Sequence, residues 1–152
     1  MTSQIKQLIT ASLQVKQQML ENPELLDSVS AIVQQIVQTF QKGHRLYFCG
    51  NGGSAADAQH LAAEFTGRFY TDRQALPAEA LHCNTSYLTA VANDYSYEVV
   101  YSRLIKGIGQ KGDVLVGLST SGNSANIVSA FQAAREKGIY TVGFTGLGGG
   151  KM

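Results

Sequence analysis

Residues 113–124 read DVLVGLSTSGNS, in which a continuous apolar run leads directly into a segment of serine, threonine, glycine and asparagine. An uninterrupted run of Val and Leu is typical of a strand that is buried on both faces of a parallel sheet. A helical segment follows from Ser124 to Lys137, Gly138 ends it, and Ile139 to Thr145 form another apolar run. Strand, helix and strand in this order predict a right-handed βαβ unit.

The same alternation is present upstream of this unit. Short strands are predicted at Arg45 to Cys49 and at Ala78 to Leu81, with an Ala-rich helix between them that ends near Phe65. Residues 86–108 are predicted to be mainly helical, with a break around residues 93–94. The predicted fold class is α/β, a three-layer parallel sheet with flanking helices.

Residues 1–43 are predicted to form an N-terminal helical pair. Asn22-Pro23-Glu24 starts the second helix, because Asn can cap it, Pro is tolerated at the first position and Glu suits the positive end of the dipole. The apolar stripe of this helix is wider than one small sheet face needs; it consists of Leu25, Leu26, Val29, Ile32, Val33, Ile36, Val37 and Phe40. Part of the stripe lies at a subunit interface, or all of it packs within the chain. We therefore assign residues 1–43 to a helical hairpin for packing and oligomerisation, and residues 44–152 to an α/β domain.

Composition excludes several classes of protein. The 152 residues include 12 basic and 11 acidic ones, a formal net charge of +1 that argues against a general nucleic-acid binder. No segment is long and apolar enough to cross a membrane, and no signal peptide is visible at the N-terminus. Cys49 and Cys83 do not form a CxxC pair and are expected to be small core thiols. We expect a cytoplasmic protein with neither nucleic-acid nor membrane partners.

The hydroxyl loop, residues 119–124, is a candidate phosphate site. It lies between a buried strand and the start of a helix, where free backbone N–H groups and the helix dipole favour an anion. The hydroxyl groups of Ser119, Thr120, Ser121 and Ser124 converge there without any Lys or Arg in the loop. The alternative is an ordinary helix cap, since Ser and Asn are preferred at that position.

A second Gly-rich turn, GNGGSA at residues 50–55, follows the first strand. It matches G-x-G-x-x-A, so dinucleotide binding is an alternative. That fold wants an acidic residue at the end of the next strand, where this chain has His82-Cys83-Asn84. Both turns are expected at the carboxyl ends of parallel strands, where they would form opposite walls of one pocket.

The helix after this turn carries His60 and Glu64, which are four residues apart and therefore share one face. Leu61 and Phe65 are predicted to point away from that face. The pair is either a solvent-exposed polar stripe or a functional site, supplying half of a zinc site or a carboxylate that moves a proton on a sugar carbon.

Together these segments resemble the sugar isomerase (SIS) family, and within it the phosphoheptose isomerases. The resemblance rests on the segments Cys49–Ser54, His60 with Glu64–Arg68, Ala92–Asp94, Leu118–Ser124, Ala133–Gly138, Thr145–Gly146 and Gly149–Met152. It covers the chain from the N-terminal helices to the last residue. The resemblance implies a SIS-type, flavodoxin-like fold.

The resemblance also implies an activity, conversion of sedoheptulose 7-phosphate to D-glycero-D-manno-heptose 7-phosphate for bacterial heptose and lipopolysaccharide synthesis. It implies a homotetramer and one zinc ion per subunit. The implied phosphate-binding residues are Ser119, Thr120, Ser121 and Ser124, and the implied sugar-binding residues are Asn51, Gly52, Gly53, Glu64, Asn93 and Asp94. His60 and Glu64 would bind zinc, with Glu64 as the catalytic acid and base.

The chain departs from the family's pattern at its end. Members of the family have a later strand and a C-terminal helix that supply a Gln and a second His, and this sequence stops before them. We expect the natural protein to be longer. Two alternatives share the fold: a non-catalytic regulator resembling the protein that associates with the bacterial replication initiator, and a sugar-phosphate sensor. The regulator lacks the glutamate that this chain has at Glu64.

Overall fold

The computed structural model describes all 152 residues, which form two compact units, residues 1–35 and residues 36–152. The helices are α1 (Thr2–Leu20), α2 (Pro23–Gln41), α3 (Gly53–Thr66), α4 (Thr85–Asp94), α5 (Val100–Ile108) and α6 (Ala125–Glu136), and the strands are β1 (Leu46–Gly50), β2 (Ala78–Ala80), β3 (Val114–Ser119) and β4 (Tyr140–Thr145). No helix among them combines the length and apolar character that crossing a membrane requires.

The first unit contains α1 and most of α2. Asn22 caps α2 as predicted, since its Oδ1 accepts a hydrogen bond from the Leu25 amide at 3.0 Å. Helix α1 has no buried residue, and in α2 the apolar side chains of Leu26, Val29 and Val33 are each more than 40% exposed. Part of the apolar stripe is therefore exposed in this chain, and its use as a subunit interface stays a prediction.

The second unit is built on a four-stranded parallel sheet in the order β2-β1-β3-β4. The connection through α3 leads from β1 to β2, at one edge of the sheet. The connections through α4–α5, from β2 to β3, and through α6, from β3 to β4, lead towards the other edge. Because parallel crossovers are right-handed, α3 covers one face and α4 to α6 cover the opposite face. The predicted three-layer α/β fold is confirmed, and residues 86–108 form α4, a 3₁₀ turn (Tyr97–Val99) and α5.

Alternating side chains of the central strands fill the two faces of the sheet. Tyr47, Cys49 and Leu115 belong to the apolar cluster that packs against α5 and α6. On the other face, Phe48 stacks on Phe65 of α3 with ring centroids 6.1 Å apart. Every residue of β1 is buried, which explains its uninterrupted apolar sequence.

The expectation that both cysteines are core thiols is wrong for one of them. Cys83 is exposed rather than a core thiol, because it lies in the turn after β2 instead of in the strand. The other cysteine, Cys49, is buried as expected, and burial raises the pKa of its thiol.

Asp113 is a buried carboxylate that links the segments preceding β1 and β3, at the amino ends of these strands. Its Oδ1 accepts from the Arg45 amide and its Oδ2 accepts from the Gln110 amide, both at 2.8 Å, and it is 2% exposed. His44 is half-buried beside it, with Nδ1 3.8 Å from Oδ1. Backbone donors rather than a full ion pair satisfy this carboxylate.

We expect Asp113→Ala to lower the free energy of unfolding by about 2 to 4 kcal/mol, because two backbone donors lose their acceptors. Urea unfolding measures this as a lower midpoint with an unchanged slope. Asp72→Ala, at an exposed position, is the control and should change little. A loss below about 1 kcal/mol for Asp113→Ala would mean that water replaces the carboxylate at both amides.

Candidate functional site

The candidate site starts at the carboxyl ends of β1 and β3, the two neighbouring strands in the middle of the sheet. Gly50 pairs with Leu118, so the turn at Asn51 and the hydroxyl loop at Ser119 begin side by side. The crossovers that follow β1 and β3 run in opposite directions, which makes this the topological switch point of the sheet. Parallel α/β sheets bind ligands in the crevice at such a point.

Within the hydroxyl loop, the serine side chains bond to groups of the loop itself rather than capping the helix. Ser119 Oγ and Ser124 Oγ are 2.9 Å apart, and Ser121 Oγ accepts from the Asn123 amide at 3.2 Å. Ser124 is the N-cap residue of α6, yet its side chain makes no capping hydrogen bond. The ordinary-cap interpretation therefore fails for the Ser124 side chain. The Ile127 amide donates to Ser124 O at 3.0 Å, and the amides of Ala125 and Asn126 have no helical acceptor.

The segment after β4 packs directly on this loop. The carbonyl oxygen of Gly122 accepts from the amides of Lys151 and Met152 at 2.9 and 3.1 Å, and the Gly146 amide donates to Thr120 O at 3.0 Å. Gly122 has φ +63, and a Cβ on it would collide with the carbonyl of Gly149. Backbone contacts with the segment after β4 thus hold the loop in place, and they leave room only for glycine at position 122.

Asn51, at the start of the first turn, is held by a residue that sequence reasoning missed. Asn51 and Asn126 exchange two amide hydrogen bonds, each 2.9 Å long. The hydroxyl of Tyr97 donates to Asn51 Oδ1 at 3.2 Å, and that of Tyr101 donates to Gly50 O at 2.6 Å. Burial raises the pKa of Tyr101, so its phenol stays a neutral donor. In the sequence, Asn126 stands out only because it is a polar residue among the apolar positions of α6.

Asn93 and Asp94 lie at the end of α4, where both are exposed. Asn93 Nδ2 donates to Asp94 Oδ1 at 3.0 Å. Asp94 lies three residues before Tyr97, whose hydroxyl group contacts Asn51. The pair is therefore close in sequence to a residue that touches the first turn.

His60 and Glu64 lie together on α3, with His60 Nε2 3.4 Å from Glu64 Oε1. They line a groove of about 400 Å³ together with Leu61, Phe65, Phe69 and Arg73. The expectation that Leu61 points away from the pair is wrong, because Leu61 is 37% exposed and faces the same groove.

No residue of the hydroxyl loop lines this groove. Within one chain, the two turns therefore meet at the switch point, whereas the His60–Glu64 pair opens onto a separate, largely apolar surface.

Arg73 fixes the end of the helix that carries Glu64. Its guanidinium donates through Nη2 to Glu64 O and through Nη1 to Phe65 O, both at 2.9 Å. These carbonyls belong to the last turn of α3, which has no helical donors and bears the negative end of the helix dipole. Arg73 therefore holds the backbone on which the Glu64 carboxylate is mounted.

We expect Arg73→Ala to reduce the free energy of unfolding by about 1 to 2 kcal/mol, since the two charge-assisted hydrogen bonds to α3 and the one to Gln74 O are lost. The amide of Leu76, which donates to Phe65 O at 3.1 Å, should exchange its hydrogen faster. Arg68→Ala, an exposed arginine near the same helix end, is the matched control. Equal exchange of the Leu76 amide in both variants would contradict this role for Arg73.

The donor set for a metal ion is incomplete within this chain. The 152 residues contain no group of three His, Cys, Asp or Glu side chains that could hold a metal ion. His60 and Glu64 offer one nitrogen and one oxygen on adjacent turns, which fit two positions of a tetrahedral zinc site. His82 is not part of this set: its Nδ1 is buried without a hydrogen-bond partner, and burial lowers its pKa, as suits a packing role.

The sequence model of the SIS domain matches residues 9–146. A phosphoheptose isomerase of Synechocystis sp. is 57% identical over 123 residues, which cover 81% of this chain and 63% of that relative. A phosphoheptose isomerase of Aneurinibacillus thermoaerophilus is 48% identical over 152 residues, or 100% of this chain and 77% of the relative. The solved phosphoheptose isomerase from Neisseria gonorrhoeae superimposes with a TM-score of 0.90 at 40% identity, covering 99% of this chain and 77% of that one. The chain thus spans between about three fifths and four fifths of the length of these relatives.

Proposed function

Because the chain belongs to the SIS domain family, and within it to the phosphoheptose isomerases, we propose that it isomerises sedoheptulose 7-phosphate to D-glycero-D-manno-heptose 7-phosphate. The observation that carries this proposal is the 48% identity to a phosphoheptose isomerase across the whole chain, which includes both turns and the His60–Glu64 helix. This activity would supply heptose for bacterial surface polysaccharide.

The hydroxyl loop is the proposed phosphate site. Ser119, Thr120, Ser121 and Ser124 would donate to the phosphoryl oxygens, together with first-turn amides of α6. The mutual bond between Ser119 Oγ and Ser124 Oγ supports this assignment, because hydroxyl groups that bond only to each other can reorient towards an anion. Asn51, Gly52 and Gly53, with Asn93 and Asp94, would contact the sugar.

Glu64 is the proposed acid and base. Its carboxylate would take a proton from C1 of the ketose while the C2 oxygen gains a proton, which gives an enediol. It would then return the proton to C2 while the C1 hydroxyl loses its proton, which gives the aldose. The Arg73 cap supports this role, because it fixes the backbone of Glu64, and His60 Nε2 lies 3.4 Å from the carboxylate.

A zinc ion would be held by His60 Nε2 and Glu64, with further ligands from outside the 152 residues. The pair's spacing supports this proposal, since i and i+4 side chains on one helix face commonly share a metal. When bound, zinc would polarise the oxygens on C1 and C2 of the sugar.

The same proposal includes a cytoplasmic homotetramer. It is supported by the exposed apolar side chains of α1 and α2, among them Ile9, Leu13 and Val33, which a partner subunit would bury.

The test incubates the full-length protein with sedoheptulose 7-phosphate, with and without a chelator. We expect product formation that the chelator stops and added zinc restores. Tight binding of the sugar phosphate without product would favour the sensor, and neither binding nor product would favour the non-catalytic regulator. Either outcome would overturn the proposed activity.

A further inference from the structure

We propose that Asn126 is a positioning residue for the sugar site, fixing the carboxamide of Asn51 so that Asn51 can only donate a hydrogen bond to a ligand. This inference rests on the proposed function, in which Asn51 contacts the sugar. It adds the role of Asn126 and the donor role of Asn51, neither of which the proposed function includes.

The two carboxamides form a closed pair. Asn51 Nδ2 donates to Asn126 Oδ1 and Asn126 Nδ2 donates to Asn51 Oδ1, each at 2.9 Å. The residues are 75 positions apart in the chain and meet because β1 and β3 are neighbours. Asn126 is 3% exposed, so water does not compete for its side of the pair.

Only one hydrogen-bonding position of the Asn51 side chain is not used by another protein group. A side-chain amide has two donor hydrogens and an oxygen with two lone pairs. Asn51 Oδ1 accepts from Asn126 and from the Tyr97 hydroxyl, at 2.9 and 3.2 Å, so its lone pairs are used. One Nδ2 hydrogen is given to Asn126, and the other has no protein acceptor. The ligand atom opposite Asn51 is therefore an acceptor, such as a hydroxyl or carbonyl oxygen of the sugar.

The position of Asn126 explains why it serves this purpose. It lies in the first turn of α6, two residues after Ser124 of the hydroxyl loop. The pair consequently ties the turn after β1 to the helix whose first turn faces the phosphate. A sugar phosphate bound at both turns would meet a donor whose direction is set before binding, which lowers the entropic cost of ordering it.

The test compares Asn126→Ala with Thr39→Ala, which removes another buried polar side chain near the opposite end of the sheet, where Thr39 Oγ1 donates to Gly112 O. We expect Asn126→Ala to raise KM for sedoheptulose 7-phosphate about tenfold with a much smaller change in kcat, as expected when a binding contact common to ground and transition states is lost. Thr39→Ala should lower the free energy of unfolding by a similar amount and leave KM and kcat unchanged. Tyr97→Phe, which leaves the pair intact, should raise KM less than about threefold.

A second measurement does not depend on turnover. In protein labelled with ¹⁵N-asparagine, the two side-chain hydrogens of Asn51 should give separate signals, one of them slow to exchange with water. Asn126→Ala, or Asn126→Leu if the alanine variant does not fold, should abolish that protection. Unchanged Asn51 signals in the variant would overturn the inference, and so would lost protection with an unchanged KM. A wild-type protein that fails to convert the sugar phosphate would instead refute the proposed function, while the signals of Asn51 still decide whether Asn126 fixes it.

Discussion

Glu64→Gln is expected to lower kcat for sedoheptulose 7-phosphate by about a thousandfold or more, because an amide cannot take up or return the proton. The substitution keeps the size and shape of the side chain, and Glu64 is only partly buried, so the stability of the fold should change by less than about 0.5 kcal/mol. The measurement is a coupled assay of product formation together with thermal unfolding.

Glu136→Gln is the matched control for this variant, since it makes the same chemical change at an exposed position of α6. It should retain the full kcat. A Glu64→Gln protein with more than about a tenth of wild-type kcat would remove Glu64 from the mechanism.

Gly122→Ala is expected to have the second large effect, the loss of sugar-phosphate binding. The residue has φ +63, and its Cβ would collide with the Gly149 carbonyl, so the hydroxyl loop or the segment that supports it must move. Residues other than glycine pay about 1 to 2 kcal/mol for a left-handed backbone even without such a clash. We expect the dissociation constant for sedoheptulose 7-phosphate, measured by calorimetry, to rise by about a hundredfold, which corresponds to roughly 2.7 kcal/mol.

Gly43→Ala separates backbone strain from the collision. Gly43 has φ +76, but nothing lies within 4 Å of the position of its Cβ. This variant should lose stability and bind the sugar phosphate normally. If Gly122→Ala bound the ligand as well as Gly43→Ala does, the loop would not need its observed conformation.

The arrangement of strands and helices could be predicted because it depends on local patterns. The Val/Leu run before Ser119 is buried on both faces in the structure, as such runs are in parallel sheets. Gly138 ends its helix with φ +71, a conformation that glycine adopts without strain. The observed bounds differ from the predicted ones by only a residue or two.

The contacts that shape the candidate site could not be predicted in the same way. Asn126 reaches Asn51 across 75 residues, and this pairing exists only because β3 lies beside β1 rather than beside β2. Helical periodicity places Leu61 on the buried face, yet that side of α3 faces a groove. Periodicity gives the faces of a helix but not what each face packs against.

A structure of the full-length protein with sedoheptulose 7-phosphate bound would show whether uncharged hydroxyl and amide groups at the start of α6 hold the phosphate. We expect phosphoryl oxygens within hydrogen-bond distance of Ser119, Ser121 and Ser124. A phosphate bound elsewhere, with residues 119–124 free of ligand and Ser119 Oγ still bonded to Ser124 Oγ, would contradict this assignment.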